Sequence, residues 1–191
     1  LVAHGREPQA GDYLAFCREH RGYPRILCVA QHLFPLTPAD GLAALPRLLD
    51  LLVDAGVYAE LTVLADTKSY PGLDLGWFVE QVGAAAAHQR FSRVEVANEI
   101  LPLHSTQDDR LGSLEFLAAL ARRVPSSVPV SLGSNHNGSD EDRTIAARSQ
   151  PFPNAYLTDH MDRSDDEAGW KWVRHTNELG CLADNHTLDA L

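Results

Sequence analysis

The stretch RVEVANEIL, residues 93–101, decides the fold class of this chain. Val94 and Val96 alternate with polar residues, as in a β-strand, and the run then passes directly into Asn98 and Glu99. In parallel α/β proteins, functional groups collect beyond the carboxyl ends of the strands. An apolar strand that ends in an amide and a carboxylate therefore indicates a parallel sheet with a site at its carboxyl edge.

Similar β-rich runs recur along the chain and alternate with helical patterns. Their apolar parts begin near residues 26, 58, 93, 128, 155 and 180, so successive starts lie 25 to 35 residues apart. This spacing fits strand-plus-helix units and is too long for hairpins. The six runs are PRILCVAQ (24–31), YAELTVLAD (58–66), RVEVANE (93–99), VPVSLGS (128–134), NAYLTDH (154–160) and GCLADN (180–185).

The helix after the first run has clear start and stop signals. Thr37 can cap a helix whose first position is Pro38, and Gly56 suits its end. Pro46 lies between them, and we expect it to break or restart the helix because proline lacks the backbone N–H. A second capping pattern, SDDE at 164–167, predicts a late helix that carries Trp170 and Val173 and runs towards Gly180.

The alternation predicts a single α/β domain over residues 1–191 with a parallel sheet. Two arrangements remain open, a doubly wound sheet and part of a (β/α)8 TIM barrel. Neither GxGxxG nor GxxxxGK[ST] occurs, which disfavours nucleotide binding. A complete barrel needs eight strands and typically about 250 residues. The barrel interpretation therefore predicts an incomplete barrel, about strands two to seven.

Composition excludes several classes of protein. The formal net charge is −10, and no cluster of basic residues is present, so we expect neither a nucleic-acid partner nor an anionic membrane surface. The cysteines Cys17, Cys28 and Cys181 form no zinc or disulfide pattern, and we expect no cofactor and no metal. Because the chain starts at Leu1 and its only methionine is Met161, we expect a processed chain or a fragment. The compartment and the oligomeric state stay open.

The predicted strand exits are titratable or amide-bearing, whereas the strand bodies are mostly apolar. These exits are Gln31-His32, Asp66-Thr67, Asn98-Glu99, Asn135-His136, Asp159-His160 and Asp184-Asn185-His186. A carboxylate such as Glu99, partly buried at the mouth of a pocket, can donate a proton near neutral pH. The amide of Asn98 can bind a substrate hydroxyl without titrating. The pair suits acid-catalysed cleavage of a sugar acetal, although Asn98-Glu99 could also simply cap the following turn.

VEVANE, an apolar strand that ends in Asn-Glu, resembles strand four of the cellulase-like glycoside hydrolases, a superfamily of TIM-barrel enzymes. The resemblance implies a carbohydrate substrate, Glu99 as the general acid/base and Asn98 as a substrate-binding residue. It also implies that Arg25 is similar to the strand-two arginine that supports the nucleophile, and that His160 lines the sugar site. Asp66 stands where the family often places a polar substrate contact.

Other interpretations of the same residues stay open. Arg25 could pair with Glu60 or Glu95 in a structural ion pair. The strand exits could instead hold a divalent ion in a metal-dependent barrel hydrolase or isomerase, with Asp66, Glu99 and the exit histidines as ligands. A third possibility is a barrel that binds sugars without catalysis.

The family's nucleophile, a glutamate at the exit of strand seven, has no counterpart in this sequence. His186 stands about where that glutamate would be, with Asp184 and Asp189 nearby. A retaining glycosidase needs a second carboxylate about 5–5.5 Å from the acid/base. We therefore expect the nucleophile to be missing or to lie outside this segment, and the segment alone to be inactive on glycosides. The sugar and its linkage are not predicted.

Overall fold

The computed structural model describes residues 1–20, 22, 24–29, 31, 35–89, 92–101, 103–135, 152–159 and 174–176. Within these ranges helices and strands alternate along the chain, as the sequence predicts. The elements are α1 (Glu7–Glu19), β1 (Arg25–Leu27), α2 (Pro38–Ala55), β2 (Ala59–Leu64), α3 (Leu75–Ala87), β3 (Ser92–Leu101), α4 (Leu114–Ala121), β4 (Val130–Asn135), β5 (Leu157–Asp159) and β6 (Arg174–Thr176).

The strands form parallel ladders in the order in which they occur in the chain. β1, β2, β3 and β4 make one four-stranded sheet, and β5 pairs with β6. A parallel bridge between Val130 and Ala155 joins β4 to the residues just before β5. The parallel α/β prediction is confirmed. A doubly wound sheet reverses its strand order at a switch point, and the described strands show no reversal. Their order is compatible with part of a barrel.

Helix α2 follows its predicted signals except at Pro46. The Thr37 side chain accepts a hydrogen bond from the backbone N–H of Asp40, and Gly56 ends the helix with a left-handed φ of 66°. The prediction that Pro46 breaks or restarts the helix is wrong, because α2 is continuous from Pro38 to Ala55. Pro46 is exposed, so the Leu42 carbonyl that it leaves without an N–H partner lies on the solvent side, where water can hydrate it.

The C-terminal elements differ from the prediction. Arg174–Thr176 pairs in parallel with Leu157–Asp159, whereas the sequence pattern places these residues in a helix that runs towards Gly180. The helix prediction is wrong at 174–176, because pairing with a neighbouring strand overrides a weak local preference. The strand predicted in GCLADN, and Trp170 and Val173, lie outside the described residues.

The core lies between the sheet and the helices. Its largest fully buried apolar side chains include Leu52 of α2, Leu61 of β2, Phe78 of α3 and Leu117 of α4. Gly83 of α3 allows a close approach to the residues that follow α4, since a Cβ there would lie 3.2 Å from Val124 Cα. Cys17 and Cys28 are free and buried, and burial raises the pKa of Cys28 to about 12.

Candidate functional site at the carboxyl ends of the strands

The exit of β3 is distorted at the Asn-Glu pair. Ala97 pairs with Gly133, but the next pair is Leu101 with Asn135, so β3 uses two more residues than β4 over this interval. Such a bulge bends a strand and redirects its side chains. Glu99 sits within it at a positive φ of 44°, which is uncommon for a residue other than glycine. β3 extends to Leu101, two residues beyond the predicted end.

Gly133 on β4 makes room for this distortion. A Cβ at Gly133 would lie against the carbonyl oxygen of Ala97 and 3.0 Å from Ile100 Cγ2. Gly133 also has a φ of 151°, which side-chain-bearing residues rarely adopt. The bulge of β3 at Asn98 and Glu99 therefore depends in part on the absence of a side chain at Gly133.

Arg25 connects the start of β1 to the exit of β3. Its Nη2 donates a hydrogen bond of 2.6 Å to Asn98 Oδ1. The same nitrogen donates to Glu95 Oε2, also at 2.6 Å. In a regular strand, residues three apart point to opposite faces. Contact of one guanidinium with both Glu95 and Asn98 shows that the bulge brings Asn98 to the side of Glu95.

A buried polar cluster surrounds Arg25. Arg25 Nε lies 3.4 Å from Glu60 Oε1, so the arginine contacts both of the glutamates that the sequence offered as alternatives. Thr62 Oγ1 donates to Glu95 Oε2 at 2.6 Å, and Tyr156 Oη donates to Glu60 Oε2 at 3.0 Å. Thr62 and Tyr156 are not among the predicted site residues. The available signal was the polar alternation of Glu60 and Thr62 within an otherwise apolar strand.

Glu95 has a distinct electrostatic environment in this cluster. It is fully buried, and its pKa is raised by that burial, an effect that Arg25 opposes and Glu60 reinforces. Its Oε2 accepts hydrogen bonds, whereas its Oε1 is buried and has no hydrogen-bond partner. A buried polar atom without a partner is costly, so its presence calls for an explanation.

Glu99 lies next to a histidine of the following loop. Its Oε2 is 3.7 Å from His104 Nε2, and its side chain is 16% exposed, so the carboxylate is neither in bulk solvent nor fully buried. The His104 ring is held on its other side, where Nδ1 lies 2.8 Å from Thr106 Oγ1. The backbone N–H of His104 also donates to the carbonyl of Glu99. His104 is not among the predicted site residues, because it lies in a loop and not at a strand end.

Asp66 follows β2 and is 3% exposed. Its Oδ2 accepts a hydrogen bond of 3.0 Å from the backbone N–H of Gln31, which follows β1. Like Glu99, Asp66 has a left-handed backbone, with a φ of 52°. Two adjacent strand exits therefore each hold an acidic residue in a strained conformation, a feature that is common at functional sites.

Gln107 ties these two exits together. Its Nε2 donates to the carbonyl of Leu64 at 2.9 Å and to the carbonyl of Asn98 at 2.7 Å. Its Oε1 accepts a hydrogen bond of 3.0 Å from Thr67 Oγ1. Gln107 is fully buried. Nothing in the sequence singles it out, since it is one polar residue in a polar loop.

The structure thus brings some of the predicted site residues together. Arg25 contacts Asn98 directly, and Gln107 links Asn98 to the strand that precedes Asp66. His160 lies outside the described residues, so a pocket shared by Glu99, Asn98 and His160 stays a prediction. A cavity of about 300 Å³ lies between α1, β1 and α2, and Arg25 is among the described residues that line it.

Metal and membrane interpretations gain no support from the described part of the chain. There, no group of three or more His, Cys, Asp or Glu side chains could hold a metal ion. The exit histidines of the metal hypothesis, His32, His136, His160 and His186, all lie outside that part. No helix in the same ranges is long and apolar enough to cross a membrane.

Comparisons with known proteins define no family for this chain. No protein-family model matches it, and no curated protein matches it. A structure described as the complex of virulence factor SghA with its substrate analog salicin is similar at 16% identity and a TM-score of 0.44. The similarity covers 76% of this chain and 41% of that chain, so this chain spans less than half of its length. A likeness this distant carries no weight in assigning the site.

Proposed function

We propose that this chain carries the acid/base half of a retaining glycosidase site, on strands two to seven of a partial (β/α)8 barrel. The observation that carries the proposal is the hydrogen bond between Arg25 and Asn98 beneath the distorted exit of β3. It anchors an amide beside Glu99, at the edge of the sheet where parallel α/β proteins bind their ligands. The consecutive strand order supports the barrel.

Each residue has a distinct role in this proposal. Glu99 protonates the leaving oxygen of the glycoside and then, as a carboxylate, removes a proton from water. His104, 3.7 Å away, is a second titratable group beside that proton.

Asn98 binds a sugar hydroxyl, and the orientation of its amide follows from Arg25. A guanidinium has only donors, so the atom of Asn98 that faces it must be the oxygen. The Nδ2 end is then the one available to donate towards an acceptor such as a sugar oxygen. Asp66 and His160 complete the substrate contacts, and the second carboxylate is left unassigned.

Hydrolysis of aryl glycosides by a form of the protein that also supplies the second carboxylate tests the role of Glu99. Glycosides with poor leaving groups need protonation of the departing oxygen, whereas strongly activated ones do not. Glu99→Gln should therefore lower turnover of the poor substrates by roughly 10²–10⁴-fold and that of the activated ones far less. Glu19→Gln, an exposed glutamate at the end of α1, is the matched control and should leave both rates unchanged.

The rival functions give different outcomes in the same assay. Equal losses on both substrate classes would exclude Glu99 as the acid. Turnover abolished by a chelator and restored by a divalent ion would favour the metal-dependent hydrolase. Binding of a glycoside without turnover, weakened by Asn98→Ala, would identify a non-catalytic sugar-binding protein. The absence of both binding and turnover across a broad panel of glycosides would overturn the proposal.

A further inference from the structure

The strongest unexplained feature outside the proposed acid/base pair is the environment of Glu95. Its carboxyl group is fully buried, and one of its oxygens makes every contact. Oε2 accepts from Arg25 Nη2 at 2.6 Å, from Arg25 Nε at 3.3 Å and from Thr62 Oγ1 at 2.6 Å. Oε1 is buried without a hydrogen-bond partner. A fully charged carboxylate spreads its charge over both oxygens, so half of that charge would be buried without compensation.

The charges around Arg25 also disfavour a charged Glu95. Arg25 contacts two fully buried glutamates, Glu60 and Glu95. Each oxygen of Glu60 has a partner, Arg25 Nε at Oε1 and Tyr156 Oη at Oε2, whereas Glu95 Oε1 has none. Arg93 also lies over the ring of Tyr156, 5.3 Å from its centre. On the other side of Glu95, the residue in register on β4 is the neutral Ser131. One guanidinium can neutralise one of the two carboxylates that it contacts.

We propose that Glu95 is a neutral carboxylic acid at physiological pH, and that in this form it positions Arg25 against Asn98. A neutral Glu95 accepts from Arg25 through one oxygen only, and both Nε and Nη2 of the guanidinium donate to that oxygen. The second N–H of Nη2 then stays directed at Asn98 Oδ1, 2.6 Å away. A charged Glu95 would favour a bidentate contact, in which each of its oxygens accepts from a different nitrogen of the guanidinium, because that is the strongest arrangement for the pair. The guanidinium would then turn away from Asn98, and the hydrogen bond to Asn98 would weaken.

The direction of the pKa shift agrees with this geometry. Burial, followed by the charge of Glu60, raises the pKa of Glu95, and the attraction of Arg25 only partly offsets the rise. A group whose pKa is higher in the folded state stabilises the fold fully below its unfolded pKa. That stabilisation is lost as the pH rises towards the folded pKa. The contribution of Glu95 to the free energy of unfolding should therefore fall as the pH rises above about 4.3, the ordinary glutamate pKa.

The protonation state can be read directly in the wild-type chain. In ¹³C NMR spectra recorded at pH 7, the side-chain carboxyl of Glu95 should have the chemical shift of a protonated acid, which differs clearly from that of a carboxylate. A Glu95 signal with the chemical shift of a carboxylate at pH 7 would overturn the proposal. This measurement needs no variant and no catalytic activity.

Glu95→Gln provides the energetic test, because glutamine has the shape of the protonated acid. The variant should match the wild type at low pH. Above the unfolded glutamate pKa, its unfolding constant should become smaller than that of the wild type by up to tenfold per pH unit, until the folded pKa is reached. Loss of stability at every pH would show instead that an ion pair had been removed.

The positioning role is tested separately at Asn98. Glu95→Leu keeps the bulk of the side chain and removes the acceptor, so the side-chain amide signals of Asn98 should shift in that variant and stay in place in Glu95→Gln. Unchanged signals in Glu95→Leu would overturn the positioning role. The importance of Asn98 for substrate rests on the proposed function, whereas these NMR readouts do not. A chain that cleaves no glycoside can still confirm or refute the state of Glu95.

Discussion

Arg25 at the start of β1 donates a hydrogen bond of 2.6 Å to the side-chain oxygen of Asn98 at the exit of β3. The two residues are 73 positions apart and come from strands that are not neighbours, since β2 lies between them. Contact across an intervening strand is possible where a sheet is curved and long side chains converge on one side. The hydrogen bond therefore joins the buried charge cluster to the proposed site.

Replacement of Arg25 by methionine should strongly destabilise the chain. Glu60 and Glu95 are both fully buried beside it, and removal of one partner of a buried ion pair typically costs about 3–5 kcal/mol. The free energy of unfolding in urea measures the effect. Arg47→Met is the matched control, because Arg47 pairs with Glu7 on the surface, where such pairs contribute about 0–1 kcal/mol. Equal losses in the two variants would contradict the buried cluster.

Glycine at position 99 should stabilise the fold relative to glutamine at the same position. Glu99 has a φ of 44°, and a left-handed backbone costs a side-chain-bearing residue about 1–2 kcal/mol. Both variants lack the carboxylate, so the difference between them isolates the backbone. We expect Glu99→Gly to be about 1 kcal/mol more stable than Glu99→Gln in urea unfolding.

A helical glutamate provides the control for that comparison. Glu115 lies in the first turn of α4, where glycine is less favourable than glutamine by up to about 1 kcal/mol. The pair Glu115→Gly and Glu115→Gln should therefore show the opposite sign. If glycine were also unfavourable at position 99, the strand exit would not be strained.

Loss of the Gln107 side chain should loosen the strand exits of β2 and β3 together. Gln107→Ala removes the donors to the carbonyls of Leu64 and Asn98, and a buried acceptor left without a partner costs about 1–3 kcal/mol. We expect a loss of about 2–4 kcal/mol in urea unfolding and faster amide exchange in the 103–108 loop. Gln9→Ala, at an exposed position on α1, should change neither measurement.

Alanine should have opposite effects at two glycines. At Gly133 its Cβ would meet the Ala97 carbonyl and the Ile100 side chain in a disfavoured backbone conformation, so we expect a loss of about 1–3 kcal/mol. Gly11 lies within α1, and a Cβ there would meet nothing within 4 Å. Gly11→Ala should raise the free energy of unfolding by about 0.5–1 kcal/mol. Thermal unfolding of the two variants tests whether Gly133→Ala lowers the stability and Gly11→Ala raises it.

Local signals in the sequence predict much of the fold. Thr37 and Gly56 mark the limits of α2 because capping depends on residues close in the chain. The β-branched run before Asn98 marks β3 for the same reason. Arg174–Thr176 could not be predicted, since those residues become a strand by pairing with β5. The continuous helix through Pro46 depends on which side of α2 faces the solvent.

The candidate site is only partly visible in the sequence. Asn98 and Glu99 stand out because they follow an apolar run, and Arg25 stands out because it opens one. Gln107 and Tyr156 do not stand out. Gln107 binds a backbone carbonyl, that of Asn98, and Tyr156 binds the side chain of Glu60, which is distant in the chain. A contact between a loop side chain and a backbone carbonyl leaves no pattern in composition or periodicity.

The consecutive strand order has a consequence for how the chain is made. Each strand of the main sheet pairs with the strand that is synthesised just before it, so the sheet can grow at one edge while the chain emerges from the ribosome. The cluster of Arg25, Glu60 and Glu95 needs three successive strands, and Tyr156 joins it last. A nascent chain with fewer strands keeps these charged groups hydrated, and hydrated charges on an unfinished sheet oppose its aggregation.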